Sequence, residues 1–369
     1  MRRALVFAGL AWCLWLSPAF AADQASSATP APAGIAVDGE GNVYVSDYAL
    51  DRVVKFGPDG SVLGQWGSSG SAAGQFNAPF GVAVDTSNAV FVVDQLNNRV
   101  QHFASDGTPL SAWGAAGAGA GELRTPFGVA IGSGHVYVAD FGNDRVEIFG
   151  PDGALLSSLG ARGSGDGQFQ RPAGVAVGPD GTLYVTDHFN DRIERFGGDG
   201  HFQSQLGTLA TVAAAVPLPG GVTGQLSTAA TATPTPPSTP SPSPTLAVTP
   251  QPTGSATPTP STAGSLSSAL PDAQLRRPEG IVLDRDGNLW VADYGRDRVV
   301  KLAPDGRLLL SWGSRGSSPG EFVGPKGVAI DPNTGHLYVA DTGNGRVQRL
   351  ALDGTPEASW PMPPASTPG

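Results

Sequence analysis

Short apolar runs recur along the chain at a nearly fixed interval. They are Pro32-Ala-Gly-Ile-Ala-Val-Asp38, Pro79-Phe-Gly-Val-Ala-Val-Asp85, Pro126-Phe-Gly-Val-Ala-Ile-Gly132, Pro172-Ala-Gly-Val-Ala-Val-Gly178, Pro278-Glu-Gly-Ile-Val-Leu-Asp284 and Pro325-Lys-Gly-Val-Ala-Ile-Asp331. Successive runs begin 47, 47, 46, 106 and 47 residues apart. A period of this size marks a solenoid or a propeller. Each run is small and apolar throughout, as a strand covered on both faces is (strand a). After a Gly/Asn/Asp-rich turn such as Asp38–Asn42, Val43-Tyr-Val-Ser-Asp47 alternates with a period of two (strand b). A four-residue loop leads to Arg52-Val-Val-Lys-Phe56 (strand c), and Pro58-Asp59-Gly60 turns the chain into Ser61 to Trp66 (strand d). Four antiparallel strands joined by short turns make a meander. Six meanders set radially predict an all-β, six-bladed β-propeller of four-stranded blades. Blades 1–4 occupy 32–207 and blades 5–6 occupy 275–360, with a tail at 361–369.

The long interval comes from an insertion at 208–274. From Thr208 to Pro271 it carries no charged residue, and Thr231 to Thr262 is mostly Pro, Thr, Ser and Ala. Such a segment buries too little apolar surface to fold, and Pro holds it extended, so the expectation is a disordered Pro/Thr/Ser-rich excursion open to O-glycosylation or use as a tether.

Within every unit an Asp is followed five residues later by an Arg: Asp47 and Arg52, Asp94 and Arg99, Asp140 and Arg145, Asp187 and Arg192, Asp293 and Arg298, Asp341 and Arg346. The two stand at opposite ends of the b–c loop, where an opposite-charge cross-strand pair contributes roughly 0.2–1 kcal/mol. Six copies at one spacing read as architecture, since a functional site on a ring of repeats is asymmetric.

Pro-x-Gly-Val-Ala-Val-Asp, then Val-Tyr-Val-x-Asp, Asn-x-Arg-Val and Asp-Gly, resembles the NHL repeat family over about 250 of the 369 residues. Blade 1 departs from the pattern with Leu50 where others carry Asn97, Asn143, Asn190 and Asn344, and blade 5 has Arg296 there. Blades 3 and 4 have Gly132 and Gly178 in place of the Asp that ends strand a. Each unit holds its own four strands, so the ring is expected to close by packing without strand exchange. The resemblance implies an interaction platform. Related six-bladed propellers that are enzymes, such as calcium-dependent lactonases and lyases, imply the alternative of a metal or acid–base site at the central channel.

The start of the chain has the layout of a secretory signal peptide: Met1-Arg2-Arg3, an apolar run from Ala4 to Leu16, and small residues around Ala21. Cleavage near Ala21 predicts a secreted or periplasmic protein and removes Cys13, the single Cys, so neither a disulfide nor a Cys-based zinc site is expected. The formal charge is −10, or −12 once the two arginines Arg2 and Arg3 are subtracted. That balance disfavours nucleic acid as a partner, and no later run is long and apolar enough to span a bilayer.

Antiparallel order places the a–b and c–d turns at one end of each blade and the b–c loops and d–a linkers at the other. Differences between units concentrate at the second end. After the repeated Asp come Tyr48, Gln95, Phe141, His188, Tyr294 and Thr342, and after the opening Pro come Ala33, Phe80, Phe127, Ala173, Glu279 and Lys326. Phe80, Phe127, Glu279, Lys326, Tyr48, Phe141, His188 and Tyr294 are therefore the candidate contacts for a peptide, protein or glycan. Of the five His, His135 and His336 fall in a–b turns, His102 in a strand c and His201 after a c–d turn, which leaves His188 and Glu279 as the candidates for catalysis. No catalytic set, cofactor or metal site is assigned. Asp284-Arg-Asp-Gly-Asn288 opens like a calcium loop, but Gly295 stands where the loop needs a bidentate Glu, so it reads as a hairpin turn.

Overall fold

Among the described residues the alternation of apolar and polar positions is realised as 24 strands in six antiparallel sheets. The computed structural model describes residues 29–208 and 274–365, so the signal-peptide expectation and the inner part of the insertion lie outside the described residues. Blade 1 is β1 (Pro32–Val37), β2 (Val43–Asp47), β3 (Arg52–Phe56) and β4 (Val62–Trp66). Blade 2 is β5 (Pro79–Val84), β6 (Val90–Asp94), β7 (Arg99–Phe103) and β8 (Pro109–Trp113). Blade 3 is β9 (Val129–Gly132), β10 (His135–Asp140), β11 (Arg145–Phe149) and β12 (Leu155–Leu159). Blade 4 is β13 (Pro172–Val177), β14 (Leu183–Asp187), β15 (Arg192–Phe196) and β16 (Phe202–Leu206). Blade 5 is β17 (Pro278–Leu283), β18 (Leu289–Asp293), β19 (Arg298–Leu302) and β20 (Leu308–Trp312). Blade 6 is β21 (Pro325–Ile330), β22 (Leu337–Asp341), β23 (Arg346–Leu350) and β24 (Pro356–Pro361). Every sheet runs in sequence order, so no strand crosses between blades.

The core sits between blades, and the period of two explains why. In β2, Val43 and Val45 pack with Tyr338, Ala340 and Trp360 of blade 6, while Tyr44 between them packs with Val82, Val92 and Phe103 of blade 2. The same division gives one apolar cluster at each of the six junctions. Strand b is consequently buried on both faces in every blade. Around the axis the strand-a glycines set the spacing: a Cβ on Gly34 would lie 2.1 Å from the Phe80 carbonyl oxygen, and one on Gly327 would lie 2.3 Å from that of Ala33. The second contact joins blade 6 to blade 1, and the cluster shared by those two blades packs the seam without strand exchange.

Blade 3 differs in detail. Ser133 and Gly134, with φ of 51° and 77°, form a two-residue turn that shortens the unit to the 46-residue interval. His135, expected in that turn, instead opens β10 opposite Gly132. The insertion leaves the ring undisturbed, because Leu275 N–H donates to the Gly207 carbonyl at 3.1 Å. Leu275 fills the place taken by Phe76, Leu123, Phe169 and Phe322 in the other linkers, each buried between blades. The chain therefore departs and returns at one point on the b–c face. No helix among the described residues is long and apolar enough to cross a membrane.

Candidate functional site

The repeated Asp and Arg face each other in register at the ends of the b–c loop, as Asp47 and Arg52 do. Their contacts run from 2.7 to 3.1 Å in the six blades. They are far more than exposed hairpin pairs, because all six Asp are completely buried. The second carboxylate oxygen accepts the N–H of a linker residue ahead of strand a: Ala31, Asn77, Arg124, Gln170, Arg276 and Val323. The remaining guanidinium nitrogens take carbonyls of the incoming linker. Arg192, for example, donates to Ser164, Gly165 and Gln168 at 2.9, 2.8 and 2.7 Å. The pair is thus an anchor that holds the linker from one blade against the next. Burial pushes the Asp47, Asp140, Asp187 and Asp293 carboxyls upward, against the opposing pull of Arg and N–H donors.

Two residues after each Arg lies a position that the sequence reading passed over. It is Val54, Gln101, Glu147, Glu194, Val300 and Gln348. Gln101 accepts the Gly74 N–H at 3.0 Å and donates to the Gln75 carbonyl and Asp94 at 2.7 and 3.1 Å, and Gln348 repeats this set. Glu147 and Glu194 put an acid in that amide site, 2.7 Å from Arg145 and Arg192. Burial raises the Glu194 pKa to about 8, with Asp187 and Asp166 adding and Arg192 opposing. Aligning the six units column by column exposes this position, since two acids appear in a column of apolar and amide residues.

The eight candidate contacts come together on the b–c face. Tyr48 lies 6.3 Å from Phe80, Phe80 lies 4.3 Å from Phe127, and Phe127 stacks on Phe141 at 4.0 Å and 11°. His188 continues the arc between Phe141 and Tyr294, at 6.0 and 6.3 Å. Lys326 Nζ stands 3.5 Å from Glu279 and over the rings of Tyr294, Phe80 and Tyr48 at 4.7, 5.4 and 5.8 Å. Phe127, Phe141, His188, Glu279 and Lys326 are buried, so much of this ring plugs the channel mouth, while Tyr48, Phe80 and Tyr294 stay partly open. Behind the plug, strand-a residues line a void of only about 70 Å³.

An open volume lies to one side of the axis. A basin of about 700 Å³ sits over blades 5, 6 and 1, walled by Tyr48, Tyr294, Lys326, Thr342, Asp51 and Arg315. His188 does not reach it as a lining residue. Burial, reinforced by Lys326 and Arg277, lowers its imidazole to a pKa of about 3, so the ring is neutral and weakly basic. Among the described residues no three His, Cys, Asp or Glu side chains converge in a metal-ligating group. Asp284 behaves as the turn residue expected of it, accepting the Asp286 and Asn288 N–H groups at 3.0 and 2.8 Å.

Three segments match the NHL repeat model, at residues 169–196, 275–302 and 322–350. Each match begins in a linker and ends with strand c, which is the span the Asp–Arg anchor ties together. Over 62 residues the chain is 40% identical to peptidylglycine alpha-amidating monooxygenase from Rattus norvegicus, a stretch that is 15% of this chain and 6% of that protein. Among solved structures, a streptogramin B lyase superposes with a TM-score of 0.54 at 14% identity, over 92% of this chain and 85% of the other. Virginiamycin B lyase from Staphylococcus aureus gives 0.51 at 14% identity, over 91% and 86%. A gluconolactonase from Xanthomonas campestris gives 0.50 at 18% identity, over 85% and 84%. At these identities the superpositions establish a shared fold.

Proposed function

We propose that this six-bladed propeller, built with NHL repeats, is an exported, non-catalytic binding scaffold that holds a peptide, protein or glycan in the basin over blades 5, 6 and 1. The basin itself carries the reading. It is the concave place on the b–c face where the repeats cease to be alike, with Tyr48, Tyr294 and Thr342 at one repeated position and Lys326 at another. Variable side chains on short loops over a rigid ring are a common design for recognition, and aromatic walls with a few placed polar groups suit a peptide or a sugar. Lys326 places an ammonium group on the basin wall, paired with Glu279 and held over three aromatic rings. Export rests on the signal-like first 21 residues.

An enzyme acting at the channel is the competing assignment. A void of about 70 Å³ behind a packed plug leaves little room for a substrate there, and an imidazole with a pKa of about 3 is a poor proton acceptor at neutral pH.

Thermal unfolding of the purified chain against pools of peptides and oligosaccharides tests the assignment. A ligand at a hundredfold excess over its Kd stabilises the native state by about 2.7 kcal/mol, which is a clear shift in midpoint. Tyr294→Ala and Tyr48→Ala, at partly open side chains of the basin wall, are expected to weaken a bound ligand at least tenfold without loss of fold. Turnover of a lactone or an ester by the same preparation, abolished by the same substitutions, sinks the non-catalytic reading.

A further inference from the structure

The pseudo-sixfold ring allows the architecture to be subtracted, and one charged feature survives. The residues leading into each opening Pro are uncharged at the junctions into blades 1, 2 and 6: Pro30 and Ala31, Asn77 and Ala78, Val323 and Gly324. At the junctions into blades 3, 4 and 5 they include Arg124, Arg171, Arg276 and Arg277. None of these four guanidinium groups forms an ion pair among the described residues, whereas every Arg of the repeated anchors does. On a chain with a net charge of −10, a run of unpaired Arg confined to half of one face is not a general solubility device.

These Arg are tied to an aromatic cluster. Arg171 lies over the Phe141 ring at 5.2 Å and Arg277 over the Phe189 ring at 5.9 Å. Phe141 and Phe189 are 6.4 Å apart, with His188 4.9 Å from Phe189. Phe189 is 42% exposed, which is unusual for a Phe on a well-packed scaffold. The stem of Arg124 crosses Gly142, where an added Cβ would lie 2.4 Å from Arg124 Cγ. Arg171 and Arg277 occupy the left-handed backbone that Ala78, Thr125 and Gly324 share at the same repeat position, so their direction is set by the ring itself. Acids are near: Asp144 and Asp191 each give one oxygen to the Arg171 and Arg277 N–H groups, and so offset part of the charge.

We propose that this arc over blades 3 to 5, separate from the basin, docks an acidic peptide segment of a protein partner, its carboxylates on the Arg forks and an apolar side chain on Phe189. Arg presents paired donors that match a carboxylate, and a guanidinium resting on an aromatic ring is already oriented, so less freedom is lost on binding. The chain's own insertion, between Gly207 and Leu275, carries a single acid, Asp272, against four arginines, which is a poor charge match for the arc. An exposed Phe among the Arg favours a peptide over a polyanion of sugar or phosphate, which offers charge without an aliphatic or aromatic side chain.

Fluorescence anisotropy with a labelled peptide of repeated Glu-Glu-Phe is the test, alongside its Gln-Gln-Phe counterpart, an oligogalacturonide and an oligothymidylate. The acidic peptide alone is expected to bind, and to weaken several-fold as salt rises from about 50 to about 200 mM. Arg171→Gln with Arg277→Gln should weaken it at least tenfold and Phe189→Ala about threefold. Arg307→Gln at the opposite end, and Tyr294→Ala in the basin, should leave it unchanged. Should the double Gln variant fail to fold, Arg171→Lys with Arg277→Lys keeps the charge but loses the fork, and a several-fold loss is expected. No binding of the acidic peptide, equal binding by the double variant, or equal or tighter binding of either polyanion overturns the proposal. Loss of basin binding by Tyr294→Ala with the arc unaffected shows that the two sites fail separately.

Discussion

The junction between blades 3 and 4 is covalent, and that between blades 6 and 1 is not, yet both use the same clamp. At the first, Arg192 holds three linker carbonyls, Asn190 reaches the Gly163 carbonyl, and Asp144 of the preceding blade accepts the Arg171 N–H at 2.8 Å. At the second no linker exists. Arg52 instead donates to the carbonyls of Pro363 and Pro364, from the segment that follows β24, while Asp47 accepts the Ala31 N–H at 2.9 Å. Leu50 stands where Asn190 works, and Gly345 where Asp144 works. Thr342 Oγ1 adds a bond to the Pro32 carbonyl at 2.7 Å. The difference teaches that the Arg anchor recognises carbonyls laid across it, whichever end of the chain supplies them, and that the closing seam lacks the Asn and Asp of the first junction while Asn333 and Arg349 bond the Gly39 and Pro58 carbonyls across it at 2.8 and 3.1 Å.

Arg52→Ala should therefore have the largest effect. It strands the buried Asp47 and frees the closing segment, and breaking a buried pair in this way costs about 3–5 kcal/mol. Hydrogen exchange should accelerate first in β1 and β24. Arg192→Ala also strands a carboxylate, but its linker remains tethered, so exchange should stay slower in β13 than in β1 of the first variant. Equal protection of β1 and β24 in wild type and Arg52→Ala would show that apolar packing alone holds the seam.

A smaller effect separates Glu194 from its amide counterparts Gln101 and Gln348. Its folded pKa, pushed up by burial to about 8, exceeds the ordinary value of 4.5. The native state then binds more protons than the unfolded chain between those limits, so the group's contribution to stability is largest below pH 4.5 and declines as pH rises toward and through about 8. Glu194→Gln should flatten that decline and leave the variant about 1–2 kcal/mol more stable than wild type at pH 8.5, as read from denaturant midpoints. A steeper decline in the variant would place a charged carboxylate there at neutral pH.

The smallest change is a gain. Leu50→Asn restores at the seam the side chain that Asn97, Asn143, Asn190 and Asn344 use to bond the Asp beside them. An added bond of this kind is expected to contribute about 0.5–1.5 kcal/mol. An unchanged unfolding midpoint would mean that the closing segment, lacking the path of a true linker, gives the amide nothing to complete.

Blade number, strand order, the turn positions except the shortened one at His135, and the separation of a uniform end from a variable end were legible in the sequence, because each follows from local rules repeated six times. Alternation decides which residues of β2 face each neighbour, and Gly-Asp turns decide where a strand stops. The gathering of Phe80, Phe127, Phe141, His188, Tyr294 and Lys326 on one face was legible too, since it needs only the repeat register. What they do there was not. Glu279 and Lys326 are adjacent in the ring but buried, Phe127 and Phe141 stack into a plug, and the open volume falls over blades 5, 6 and 1. The depth of the Asp–Arg pairs, the acid in the Gln101 and Gln348 position, and the use of Pro363 and Pro364 to close the ring also required the tertiary structure. Each depends on how close two blades approach, and that distance is set jointly by side chains from both, which no single repeat contains.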